Sequence, residues 1–194
     1  MNEIKILFFA LGSFFGIVDA RITADKTMVI IYPQEKEVMI IQENLFVVIQ
    51  SENDEKLILE QWDKIYNWKK KNTAWAKELD NFTFKDFKLT PVKMTTQTYL
   101  VSIRPHITLK YTRENDLASM GIWFNADKNK FYLNNIPEYN IQSDYGKLEG
   151  KYWVFNANDP ITITIEPNLK KTGKFNNNRV PLKELLRKYE NRNK

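Results

Sequence analysis

Two carboxylates, three aromatic rings and two glycines fall within residues 143–153, the densest group of chemically capable side chains in this sequence. Asp144 and Glu149 are a pair of the kind that serves as acid and base in glycoside hydrolysis. Tyr145, Tyr152 and Trp153 offer flat faces against which a sugar ring can pack. Glu138 and Asp159 lie on either side and widen the choice of carboxylates. The same residues also suit a plain loop followed by a strand whose aromatics fill a core. Alternation along such a strand sends Tyr152 and Val154 to one side and Trp153 and Phe155 to the other, so only one of the pairs need be buried. A glycosidase pair must stand roughly 5–10 Å apart, and spacing in sequence does not set that distance. The expectation is a ligand-binding stretch built from Asp144, Tyr145, Glu149, Tyr152 and Trp153, with no residue assigned to catalysis.

Other chemistries are excluded more firmly. The chain has no cysteine and one histidine. Thiol nucleophiles, Cys-ligated zinc, iron–sulfur clusters and redox dithiols are therefore absent, and a transition-metal site is not expected. A Ser-His-Asp arrangement would have to use His106, which follows Pro105 and reads as an exposed residue at a bend between two strands. Asn125, Asp127 and Asn129 have the alternating spacing of a calcium loop. The match fails at Lys130, where that loop needs glycine, and at Ile136, where it needs glutamate, so a hairpin turn is the better reading. No P-loop, dinucleotide fingerprint, nucleophile elbow or HExxH sequence occurs. No metal and no cofactor is expected, and an enzyme is the second choice.

Charge is uneven. The chain carries 29 basic and 24 acidic residues, a formal net charge of +5. Residues 168–194 hold nine basic residues against Glu184 and Glu190, so the excess belongs to that end. Lys170, Lys171, Lys174, Arg179, Arg187 and Lys188 are the candidates for docking on an envelope protein, an anionic lipid or an anionic glycan. A solvated, partly helical basic tail is the plainer expectation for this segment. Nucleic acid is disfavoured as a partner if the chain is exported. Asn81-Phe82-Thr83 fits a glycosylation sequon, which matters only in a secretory route that uses it.

These residues need a framework, and hydrophobic periodicity supplies one. Residues 27–32, 37–42 and 45–50 read as three strands of a meander, separated by the turn-like residues 33–36 and 42–44. Ser51 and Asp54 then offer caps, and Ile58, Trp62, Ile65 and Tyr66 form an apolar stripe ending at Lys69, Lys70 and Lys71. This predicts one long amphipathic helix. Residues 73–80 suit a shorter second helix. Strands follow at 98–103, 107–112, 120–124, 131–133, 151–155 and 161–165, the last a strict alternation of Ile and Thr. Pro181 opens a terminal basic helix over 181–189, with Leu182, Leu185 and Leu186 on its apolar side. Strands do not alternate with helices, so the fold class is α+β with a mostly antiparallel sheet, able to curl into a half-barrel around the long helix.

The N-terminus supplies an address. Residues 1–5 are a short polar start, residues 6–18 are apolar, and Val18-Asp19-Ala20 fits a cleavage site with small or aliphatic residues at −3 and −1. The apolar run spans 13 residues, whereas a membrane-spanning helix needs about 20. The layout predicts a secretory signal peptide over 1–20, a single globular domain over 21–167 and the basic tail over 168–194. A mature chain of this length buries about 70% of its unfolded surface and needs no disulfide. The function that follows is an exported module, periplasmic or extracellular, that binds or docks without catalysis and is not an integral membrane protein after cleavage. The alternatives are a carboxylate-dependent hydrolase acting on glycans and a subunit of a cell-envelope complex.

Overall fold

A computed structural model describes residues 22–49, 51–66, 82–94, 100–136, 139–167 and 179–192. The signal-peptide reading, the short helix over 73–80 and the lysines at 170, 171 and 174 lie outside them. The architecture is mostly antiparallel sheet with two short helices. The strands are β1 (Ile22–Tyr32), β2 (Glu37–Val48), β3 (Phe82–Met94), β4 (Leu100–Tyr111), β5 (Ile122–Asn125), β6 (Lys130–Asn134), β7 (Tyr139–Gln142), β8 (Lys147–Glu149), β9 (Tyr152–Asn156), β10 (Ile161–Pro167) and β11 (Arg179–Pro181). The helices are α1 (Glu52–Tyr66) and α2 (Leu182–Arg192), and a 3-10 helix covers Glu114–Met120. Seven strands form the large sheet in the order β3-β4-β2-β1-β10-β7, with β11 added to the far end of β2. Four form the small sheet in the order β5-β6-β9-β8. Among the described residues neither sheet closes.

The first departure from the sequence reading is β2. The turn-like residues 42–44 do not divide two strands, because Glu37–Val48 runs as one strand paired with β1 in a single register from Tyr32↔Glu37 to Ile22↔Val47. Asn44 takes φ 52 within that strand. The buried positions also change parity there: Val29 and Ile31 are buried beyond it and Ile22 and Ala24 before it, with Val38 and Ile40 against Leu45 and Val47 on the partner. The turn signal was therefore a kink in a continuous hairpin, placed where an asparagine tolerates the left-handed region.

The second departure is at Arg104-Pro105-His106. β4 passes straight through these residues, with Pro105 opposite Leu89 and His106 between Lys88 and Ile41. Proline survives there because β4 meets β2 only from His106 to Lys110, so residues 100–105 form a two-stranded arm with β3, where a missing N–H breaks no second ladder. His106 is half-buried in mid-strand, not exposed at a bend. From Ile107 the expected alternation holds: Ile107, Leu109 and Tyr111 are buried and Lys110 is exposed. The Ile-Thr alternation of β10 holds too, with Ile161, Ile163 and Ile165 inside.

α1 carries the stripe from Ile58 to Tyr66, and α2 carries Leu182, Leu185 and Leu186. α1 has 15 residues, so the expected long helix is not formed among the described residues. Its start is where the caps predict. Ser51 donates its N–H and its hydroxyl to the Asp54 carboxylate at 3.1 and 3.0 Å, and Asp54 is 5% exposed. Ile58 and Trp62 pack into the core. A second buried carboxylate holds the corner after β4. Asp116 accepts the N–H groups of Thr112 and Arg113 at 3.1 and 2.7 Å and is 4% exposed. Asp116→Ala leaves two donors without that acceptor, so a loss of about 2 kcal/mol is expected in urea unfolding, and Asp116→Asn should recover part of it. Equal stability of all three proteins would remove Asp116 from this role.

The C-terminal segment is tied in. β11 pairs with β2 from Arg179↔Val48 to Pro181↔Phe46, and Leu182 and Leu185 are 1% and 3% exposed in the core. Residues 179–192 are thus docked, where composition alone predicts a solvated tail. One apolar cluster joins both sheets and both helices, from Val29, Ile31 and Ile163 through Phe131, Leu133 and Phe155 to Ile58 and Leu182. No helix among the described residues is long and apolar enough to cross a membrane.

Candidate functional site

The small sheet displays the stretch singled out from sequence. β8 and β9 form a hairpin with Glu149 opposite Tyr152, and Gly150 and Lys151 make its two-residue turn. Gly150 has φ 62, the positive value required of the first central residue of a II′ turn. Sequence reading placed only the second of these strands, because β8 is three residues long and fully exposed.

Cross-strand partners share a face, so the register sorts the side chains. Ile122, Leu133, Trp153 and Leu148 form one row, with Phe124, Phe131 and Phe155 in the next row on the same face. That is the core face: Ile122, Leu133, Phe131 and Phe155 are buried, and Phe124 lies 5.1 Å from Phe131 between ring centroids. The opposite face carries Trp123, Tyr132, Val154 and Lys147 in one row, Asn134, Tyr152 and Glu149 in a second, and Asn125, Lys130 and Asn156 in a third. Trp153 therefore turns toward the core side, where it is half-buried and its Nε1 donates to Asn135 at 3.4 Å. Tyr152 remains outside, 46% exposed.

An open groove of about 470 Å³ lies on this outer face. Trp123, Asn125, Lys128, Tyr132, Asn134 and Tyr152 line it, with Phe124 below. Tyr132 and Tyr152 meet edge to face, 6.4 Å between centroids at 85°. The size falls within the range of small-ligand sites. The turn over residues 126–129 fixes one end: Asn125 Oδ1 accepts the Lys128 N–H at 3.0 Å, and Asn129 takes φ 49 and donates to Asn158. This is the hairpin preferred above over a calcium loop.

Of the five proposed ligand residues, the structure brings Glu149 and Tyr152 together as partners. Asp144 and Tyr145 stand in the loop before β8, where Ser143 Oγ accepts the N–H groups of Tyr145 and Gly146 at 3.4 and 3.2 Å. The three residues of β8 extend about 10 Å between that loop and the hairpin turn, with Glu149 at the far end. Asp159 lies beyond β9, and Glu138 falls outside the described residues. Among the described residues, no cluster of three or more His, Asp or Glu side chains that could hold a metal is present. Trp123, Tyr132, Asn125, Asn134 and Lys128 were not legible as a site, since only the register of β5, β6 and β9 assembles them. The available signal is a polar-edged ring between two wholly apolar neighbours: Tyr132 between Phe131 and Leu133 must face away from the core that they fill.

The proposed docking cations divide. Arg179 forms an ion pair with Asp25 and covers the Phe46 ring at 3.5 Å, and burial draws its pKa below the usual arginine value. Lys188 pairs with Glu55, joining α2 to α1. Arg187 is exposed. Arg179 and Lys188 thus make contacts within the chain. No protein-family model, curated protein or solved structure matches this chain, so its reading rests on these residues and their geometry.

Proposed function

We propose that this protein is an exported binding module without catalytic activity, and that it holds its ligand on the outer face of the small sheet. The observation that carries this reading is the lining of the groove. Among the described residues, four aromatics and two asparagines line it with one lysine and no carboxylate. Such a surface offers apolar contact and hydrogen bonds, and it lacks the acid and base that bond cleavage would require. Export rests on the layout of residues 1–20, which predicts that the mature chain begins at Arg21.

The test is an oligosaccharide array probed with the mature chain and with the Trp123→Ala, Tyr152→Ala double variant, followed by product analysis after long incubation. Retention of a glycan without turnover is expected, and the variant should lose at least about tenfold in affinity, as when stacking rings are removed from a site. Turnover that disappears in an Asp144→Asn, Glu149→Gln variant would replace this reading with the hydrolase. N-terminal sequencing of the exported fraction checks the address, and an intact Met1 there would overturn cleavage.

A further inference from the structure

We propose that the ligand of the groove is an anionic glycan, stacked on Trp123, Tyr132 and Tyr152 with its acidic substituents held by Lys128 and Lys130. The proposal rests on the reading of the groove as a ligand site. Charge is its first support. Among the described residues, the one charged side chain in the lining is Lys128. The register sets Lys130 on the same face beside Asn125 and Asn156, and Lys147 beside Val154. Glu149, at the hairpin end, is the one acid in those rows. The cations gather although residues 21–167 carry slightly more acids than bases. A neutral sugar would gain only hydrogen bonds from this placement, whereas an anionic one is also attracted by charge.

The second support is where the groove runs. It crosses the face of the sheet over β5, β6 and β9, and the backbone groups of β6 are spent on ladders to both neighbours. A peptide docking by strand addition needs a free edge, which this face does not provide. Recognition here falls to side chains alone. Rings with polar edges and the amides Asn125 and Asn134 match a ligand with apolar C–H faces and hydroxyl rims.

Calorimetric titration of the mature chain tests this with three probes: a panel of carboxylated oligosaccharides, a sulfated panel, and the carboxyl-reduced counterparts of the first. One or both acidic panels should bind, and their separate results identify the acidic group. Binding should weaken about tenfold from low to 0.5 M salt, and by a similar factor in the Lys128→Gln, Lys130→Gln variant. Equal affinity for the reduced counterparts, with no effect of the lysine variant, would overturn the acidic ligand while leaving the groove as a glycan site. Acidic binding unchanged by Tyr152→Ala, or binding of no oligosaccharide in any panel, would overturn the groove reading itself. Tight binding of polyglutamate in place of the sugars would assign an acidic peptide and overturn the glycan.

Discussion

Phe155→Ala is expected to cost about 3–5 kcal/mol, the usual range for deleting a fully buried phenylalanine ring. Phe155 is 2% exposed and stands opposite Phe131, itself wholly buried, in the cluster that joins the two sheets. Its ring also lies over the backbone of Gly146, so close that a methyl group on Gly146 would overlap Phe155 Cε1. The small sheet is therefore fastened on both sides of one ring, to the core through Phe131 and to the loop before β8 through Gly146. Gly146→Ala must push the ring aside and should cost about 1–3 kcal/mol, as overpacking does. In the Phe155→Ala background the ring is gone and the same methyl group should cost nothing. Urea unfolding of the two single variants and the double variant measures that coupling. Additive costs would show that the ring and the glycine act separately. Tyr152→Ala, one strand position from the turn and half exposed, is the control that should cost less than about 1 kcal/mol.

The same ring shows what the sequence could and could not reveal. Alternation along residues 152–155 correctly separates Tyr152 from Trp153, but it leaves open which side is wet. Val154 is buried as well as Phe155, because Tyr132 and its neighbours crowd the outer face. Where one face is apolar and the other polar, as in β10, period two alone assigns the burial. Aromatic residues on both faces defeat that rule. Turn chemistry failed for a different reason. Asn44 and Pro105 are turn residues in isolation, yet each sits inside a strand, one at a kink and the other on a ladder with a single neighbour. Local preference was outweighed by cross-strand pairing with β1 and β3, which the propensity of a single residue does not register. The caps at Ser51 and Asp54 were legible because both members of the interaction lie within one turn. The groove was not, since Trp123, Asn134 and Tyr152 come from three strands and only their register makes them neighbours.

Stability should fall by about 1.4 kcal/mol per pH unit above pH 10 through one group, Tyr111. Its phenol is pushed up to about 12 from the ordinary 10.0, first by burial and then by the negative charge of Glu35. Tyr111 is 4% exposed at the end of β4, where its N–H donates to the Lys36 carbonyl at 2.9 Å. Lys36 lies 5.7 Å above the ring and is itself held by Glu114. The sign follows from which state keeps the proton. Below pH 10 both the folded and the unfolded phenol are protonated, and the contribution is fully present. Between pH 10 and 12 the unfolded phenol loses its proton while the folded one keeps it, so each step upward favours unfolding. By pH 12 the loss reaches about 2–3 kcal/mol. Lysines and the other tyrosines also titrate in this range, so the measurement is the difference between the wild type and Tyr111→Phe in urea unfolding from pH 9 to 11.5. The variant should show a shallower alkaline decline than the wild type. Glu35→Gln should narrow the difference only slightly, since burial is the larger cause. Parallel curves would mean that the unfolded and folded phenols titrate together, and that the turn at Lys36 leaves Tyr111 open to water.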